Sequence, residues 1–65
     1  MKDREAKRAV KVQARRTARG AAYYGIVRDA RSRKKLWESV DPYGDERVAV
    51  QRAIDHALMS GWRVV

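Results

Sequence analysis

The sequence predicts an α+β protein in which a basic N-terminal helix precedes a small body made of one β-hairpin and one amphipathic helix. Three observations support this fold class: a cation-rich segment without helix breakers before Gly20, two β-prone runs on either side of a short polar connection, and helical spacing of apolar residues from Val50 onward. With 65 residues the chain is long enough for one small domain. We therefore expect a basic helical arm at residues 1–20 and a body at residues 21–65.

The arm contains no Pro or Gly before Gly20 and is dominated by Ala, Arg, Lys, Glu and Gln, which are good helix formers. Ala6, Val10, Ala14 and Ala18 recur at a spacing of four, and cations line roughly the opposite side. Because this apolar stripe is mostly alanine, it buries little area, and an anionic partner would help to order the helix. Two interpretations stay open for the arm: a solubilising basic helix, or an arm that binds nucleic acid.

The body begins with two runs that predict an antiparallel hairpin, with strands at about 22–28 (AYYGIVR) and 35–40 (KLWESV). The connection DARSRK is short enough for a hairpin turn, and its tip carries Arg31, Arg33 and Lys34. These cations are solvated by default, so they become informative only together with a neighbouring surface.

An amphipathic helix is predicted at about 45–59. Asp41 before Pro42 is one possible start, and Asp45 is a later one that avoids Gly44. The spacing i, i+3, i+4, i+7, i+8 indicates one buried face, formed by Val50, Ala53, Ile54, Ala57 and Leu58. Ser60 and Gly61 end the helix, and residues 62–65 (WRVV) form a possible short strand.

The hairpin is apolar on both faces. Strand alternation directs Tyr24 and Ile26 to one side and Tyr23 and Val27 to the other, and Leu36 and Trp37 are likewise opposed. One helix covers one face only. The second face must therefore meet the arm, the C-terminal strand, a second subunit in a homodimer, or a nucleic acid.

Residue types that carry catalysis or bind metals are sparse. There is no cysteine, and His56 is the single histidine, so neither a metal site nor a catalytic triad has enough members; we expect His56 on the helix surface. The four glycines are isolated and form no phosphate-binding loop. We predict a protein that is not an enzyme and uses no cofactor or metal.

The net charge is +8, from 16 Lys and Arg against 8 Asp and Glu. Such an excess favours polyanionic partners, with nucleic acid first and an anionic membrane or an acidic protein surface next. No apolar run is long enough to span a membrane or act as a secretory signal, so we expect a cytoplasmic protein with no membrane partner.

Residues 25–58 combine a strand that ends in Val27-Arg28-Asp29, a basic turn, a strand entered through Leu36-Trp37, and an alanine-rich helix. In these features they resemble part of the AP2 family of DNA-binding domains and the related N-terminal domains of phage integrases. The resemblance implies the last two strands and the helix of that fold, whose sheet lies in the DNA major groove, and a phage-like or prokaryotic setting. The family's first strand has no counterpart among the predicted elements, since the helical arm takes its place.

The leading hypothesis is a nucleic-acid-binding protein, with DNA favoured over RNA, that uses the cationic hairpin and the arm. The resemblance implies contacts by Arg28, Arg33, Lys35 and Trp37. The full set of predicted contact residues lies on the arm and the hairpin: Lys11, Arg15, Arg16, Arg19, Arg28, Arg31, Arg33, Lys34, Lys35 and Trp37.

The rival hypothesis is a protein-interaction factor, such as a phage-type inhibitor or an assembly subunit, that docks on an acidic partner through the hairpin face. Tyr23, Tyr24 and Trp37 would then be the anchoring side chains, because aromatic residues dominate the energetic centres of such interfaces.

Overall fold

A computed structural model describes residues 7–65 and confirms the α+β class: one four-stranded sheet with one helix packed against it. The elements in chain order are β1 (Ala9–Arg16), β2 (Tyr23–Asp29), β3 (Lys35–Glu38), α1 (Glu46–Met59) and β4 (Arg63–Val64). The strands lie in the order β3-β2-β1-β4. The pairs β1–β2 and β2–β3 are antiparallel, whereas β4 runs parallel to β1.

The predicted basic helical arm at residues 1–20 is wrong over its described part, since Ala9–Arg16 is a strand; residues 1–6 lie outside the described residues. The spacing of four that indicated a helix is also a multiple of two, the period of a strand. Val10 and Ala14 therefore share one face in either structure. Pairing with β2 along seven residue pairs and full burial of Val10 outweigh the helix propensity of this segment.

The hairpin between the second and third strands is confirmed, with β2 and β3 close to the predicted bounds. The third strand ends at Glu38 rather than at residue 40, and Val40 is almost fully exposed. A bulge between Val27 and Arg28 shifts the register, so that Val27 pairs with Trp37 and Arg28 with Lys35. This bulge determines which face of the sheet each β3 side chain occupies.

The helix begins after Asp45, the later of the two predicted starts, whose carboxylate accepts a hydrogen bond from the backbone N–H of Arg47 at 2.8 Å. Its buried residues are Ala49, Ala53 and Ala57. The predicted apolar face is thus partly wrong, because Leu58 is 61% exposed and Ala49 was missed. The helix turns its smallest side chains toward the sheet.

This alanine stripe brings the helix backbone very close to β2. A Cβ atom added to Gly25 would lie 2.4 Å from the carbonyl oxygen of Ala49, so no other residue fits there without moving the helix. Behind Gly25, the buried Ser39 hydroxyl accepts a hydrogen bond from the Gly25 N–H at 3.0 Å and donates to the carbonyl of Asp41. The close contact between Gly25 and Ala49 therefore sets the distance between the helix and the sheet.

The core lies between α1 and one sheet face, which we call the helix face. Its buried members are Val10, Val27, Ala53 and Ala57, and the partly buried residues packed against them are Val12, Leu36, Trp37, Trp62 and Val64. The other face of the sheet, which we call the open face, carries no helix among the described residues.

Candidate functional site

The open face is built by strand alternation. Because residues paired across strands share a face, the side chains that oppose the helix form two neighbouring rows. Gln13, Ile26 and Glu38 form the central row, from β1 through β2 to β3. Lys11, Arg28 and Lys35 form the row nearer the β2–β3 turn.

Two further pairs extend these rows. Arg15 lies opposite Tyr24 on the side toward the β1–β2 turn. At the β4 edge, Arg63 pairs with Ala9 and so points away from the helix, as its neighbour Val64 packs into the core. Among the residues that the structure describes, the open face thus carries five cations, Lys11, Arg15, Arg28, Lys35 and Arg63, against the single carboxylate of Glu38.

Glu38 bridges two of these cations. One carboxylate oxygen accepts from Arg15 Nη2 at 2.6 Å, and the other accepts from Lys35 Nζ at 2.7 Å. These hydrogen bonds, from Lys35 first and then Arg15, hold the pKa of the Glu38 carboxyl below its usual value of 4.5. Glu38 is therefore ionised at neutral pH and links the side chain of Arg15 on β1 to that of Lys35 on β3.

A buried isoleucine, Ile26, lies beneath these charged groups. Ile26 points to the open face, yet it is only 1% exposed. Its cross-strand neighbours are Gln13 and Glu38, and the long side chains around it must supply the cover. The open face is therefore a packed polar surface over a buried isoleucine, rather than a set of independent solvated charges.

Arg15 is positioned by a second contact. Its guanidinium carbon lies 5.0 Å from the centre of the Tyr24 ring, within the range of a cation–π interaction. Together with Glu38, this contact holds the Arg15 fork above the sheet. Half of the Arg15 side chain is still exposed, so it remains accessible to a ligand.

The β2–β3 turn is ordered by Asp29. Its carboxylate accepts from the backbone N–H groups of Ser32 and Arg31, each at 2.8 Å, and it pairs with Arg8 at 3.1 Å. The two backbone hydrogen bonds, with help from Arg8, hold the pKa of Asp29 below its usual value of 3.8.

The same turn contains the one described non-glycine residue with a positive φ, Arg33 at 69°. Its carbonyl accepts from Arg28 Nη1 at 3.1 Å, which ties the turn to the open face. Arg31, Arg33 and Lys34 are exposed at this tip, as the sequence predicted.

Two predicted contact residues lie near the opposite end of the sheet. Arg19 is exposed in the turn between β1 and β2. Arg16 pairs with Tyr23 on the helix face, with its guanidinium 6.0 Å from the Tyr23 ring centre. Basic residues therefore occur at both ends of the sheet, although Arg16 turns away from the open face.

Trp37 does not join the open face. Its indole stacks on His56 of the helix, with ring centres 4.3 Å apart, and Trp62 meets the same imidazole edge-on at 5.7 Å. His56 is therefore half-buried on the helix, in contact with two tryptophans, rather than the fully solvated side chain of an exposed helix surface. Tyr23 also lies on the helix face, whereas Tyr24 lies on the open face, so the three aromatic anchors of the rival hypothesis do not share one surface.

An open groove of about 570 Å³ lies at the β2–β3 end of the sheet, and its lining includes four cations, Lys7, Arg8, Arg31 and Arg63. Asp29 also lines it.

Within residues 7–65 there is no group of three or more His, Asp or Glu side chains able to hold a metal ion. None of the described helices is long and apolar enough to cross a membrane.

Sequence reasoning missed three residues of the open face: Gln13, Glu38 and Arg63. The signal that would have found Gln13 is the alternation Lys11, Gln13, Arg15, which has the period of a strand. The positions of Glu38 and Arg63 on the open face depend on the bulge in β3 and on the pairing of β4, neither of which the sequence reveals.

No protein-family model, curated protein or solved structure matches this chain.

Proposed function

We propose that this protein is a non-enzymatic nucleic-acid-binding protein that binds duplex DNA with the open face of its sheet. The observation that carries the proposal is the row Lys11, Arg28 and Lys35, which crosses three adjacent strands on the face opposite the helix. Cations in such an array neutralise phosphates and release counterions, which is the main source of affinity for nucleic acid.

The shape of the open face favours the major groove of B-form DNA. That groove admits an antiparallel ribbon, whereas the major groove of A-form RNA is too deep and narrow for side chains to read. The β2–β3 turn carries Arg31, Arg33 and Lys34 beyond one end of the sheet, where they are suited to contact the phosphates that border the groove.

The architecture also supports the proposal. The resemblance to AP2-type domains implies a three-stranded sheet with a helix behind it, and β1, β2 and β3 with α1 have that arrangement. On this proposal, β1 would take the place of the family's first strand, for which the sequence predicted no counterpart. Trp37, which the resemblance implies as a contact, packs against the helix instead, and we assign it a structural role.

The test is a binding titration of a 20-base-pair duplex by fluorescence anisotropy at several salt concentrations. The variant Lys11→Gln/Lys35→Gln removes two charges from the open face. The matched control Arg47→Gln/Arg52→Gln removes two charges from exposed positions of the helix. Both variants have the same net charge, so only the position of the lost charges differs.

We expect the open-face variant to bind more weakly and to reduce the slope of log K against log salt by about 2, because each phosphate contact contributes about 0.9. The helix variant should retain the slope of the original protein. Equal losses in the two variants, or an affinity independent of salt, would overturn the proposal.

A further inference from the structure

Glu38 stands out because it is the one carboxylate among the described residues of the open face. Its ion pairs with Arg15 and Lys35 involve half-exposed cations, and such pairs contribute little to stability. On a surface that binds phosphates, a carboxylate also weakens affinity by repulsion. Neither stability nor phosphate binding therefore accounts for an acid in the central row.

DNA offers few partners to a carboxylate. Phosphate and sugar oxygens are acceptors and repel it, whereas the major groove presents two hydrogen-bond donors, the amino groups of cytosine N4 and adenine N6. If the open face lies in that groove, these base edges are the DNA groups that can donate to the acceptor sites of Glu38 that Arg15 and Lys35 leave free. Glu38 is therefore placed to read a base.

Arg15 decides between the two bases. Its guanidinium donates up to five hydrogen bonds in a planar fork, and one of them goes to Glu38 at 2.6 Å. The pair thus presents two donors followed by an acceptor. A G·C pair presents the complementary order, with acceptors N7 and O6 on guanine and then the donor N4 on cytosine, whereas A·T alternates acceptor, donor, acceptor and adds a methyl group.

The spacing agrees with this complementarity. Guanine O6 and cytosine N4 are hydrogen-bonded to each other in the base pair, so they are separated by about 2.9 Å. Arg15 Nη2 and the Glu38 oxygen have nearly the same separation, 2.6 Å. We infer that Arg15 and Glu38 together read one G·C base pair, an inference that rests on the proposed duplex DNA binding.

Both side chains are held before a ligand arrives. The Tyr24 ring supports the Arg15 guanidinium at 5.0 Å, Lys35 holds the second oxygen of Glu38 at 2.7 Å, and the buried Ile26 fills the space below. Such preorganisation reduces the entropy lost on binding, which is what a base-reading pair requires.

The experiment is selection of binding sites from a random duplex library, followed by competition titrations in which each base pair of the selected site is changed in turn. It is run on the full chain, on Glu38→Gln and on Arg15→Lys, which keeps the charge but lacks the fork. The matched control is Glu46→Gln, the same chemical change in the first turn of the helix. Circular dichroism confirms that each variant is folded.

We expect the original protein and Glu46→Gln to select at least one invariant G·C pair. Changing that pair to A·T should weaken binding roughly 5- to 100-fold. Glu38→Gln and Arg15→Lys should each lose most of this discrimination at the same position, and Glu38→Gln should bind unrelated duplexes more tightly.

Two results overturn the inference, and they have different meanings. If the protein binds duplex DNA without any G·C preference, or if both variants keep that preference, the reading role is wrong and the proposed function stands. If no duplex is bound at any salt concentration, the proposed function fails and the inference fails with it.

Discussion

The indole of Trp37 lies flat on the imidazole of His56, with an interplanar angle of 11° and a centre-to-centre distance of 4.3 Å. This stack joins the short edge strand β3 to the helix, and Trp62 meets the same imidazole edge-on. The tryptophan that follows the basic turn in sequence is therefore part of the contact between helix and sheet, on the side away from Arg28.

The first prediction concerns this stack. Trp37→Ala should lower the free energy of unfolding by about 2 kcal/mol, below the usual cost for a fully buried tryptophan because Trp37 is only partly buried. Urea denaturation followed by circular dichroism measures the loss. Trp37→Phe keeps a ring against His56 and should recover much of it.

A contact role for Trp37 makes a different prediction. If its indole touched DNA, Trp37→Phe would weaken binding at temperatures where the protein is fully folded. We expect no change in affinity for Trp37→Phe under those conditions, and a loss there would show that the helix-face position is not the whole account.

Gly25 tests the close approach of helix and sheet. Gly25→Ala places a methyl group 2.4 Å from the Ala49 carbonyl oxygen, and we expect a loss of about 2–3 kcal/mol in the free energy of unfolding. Gly44→Ala is the matched control, since an added Cβ there meets no atom within 4 Å. Thermal or urea unfolding should show little change for the control, or a slight gain.

Stability and function are predicted to oppose each other at Arg33. Its φ of 69° is costly for a residue other than glycine or asparagine, so Arg33→Asn should raise the free energy of unfolding by about 0.5 kcal/mol. The same change removes a cation from the turn, and it should reduce the slope of log K against log salt for DNA binding by about 1. Arg31→Asn removes a charge from the same turn and should bring no gain in stability.

The two carboxyls with lowered pKa values predict how stability depends on pH. In the folded protein the pKa values of Asp29 and Glu38 lie below their usual values of 3.8 and 4.5. The contribution of the two carboxylates to the free energy of unfolding is therefore fully present above those usual values. It is lost as the pH falls through the lower, folded pKa values. Urea unfolding between pH 7 and pH 2.5 should therefore show a smaller loss in Glu38→Gln than in the original protein, and equal losses would contradict this assignment.

Local signals were sufficient for the second half of the chain. The end of the helix at Ser60 and the hairpin were predicted from turn residues and periodicity; Asp45 was one of two predicted helix starts, and residues 62–65 were a possible short strand. These features depend on neighbours close in sequence, so the sequence expresses them directly.

The first strand could not be recognised in the same way. A spacing of four between small apolar residues fits both a helix and a strand, and the helix-forming composition of residues 9–16 favoured the wrong one. The open face could not be predicted either, because Lys11, Gln13 and Arg15 belong to it only when this segment is a strand paired with β2. The opposite placements of Lys35 and Trp37 depend on a bulge that has no marker in the sequence.

The strand order β3-β2-β1-β4 has a consequence for self-association. The two longest strands, of eight and seven residues, lie in the interior of the sheet, and the edges are β3 with four residues and β4 with two. Edges this short offer few unpaired backbone groups to an incoming strand, and β3 also has a bulge. The described sheet is therefore a poor template for edge-to-edge pairing with further strands, even though one of its faces carries no helix among the described residues.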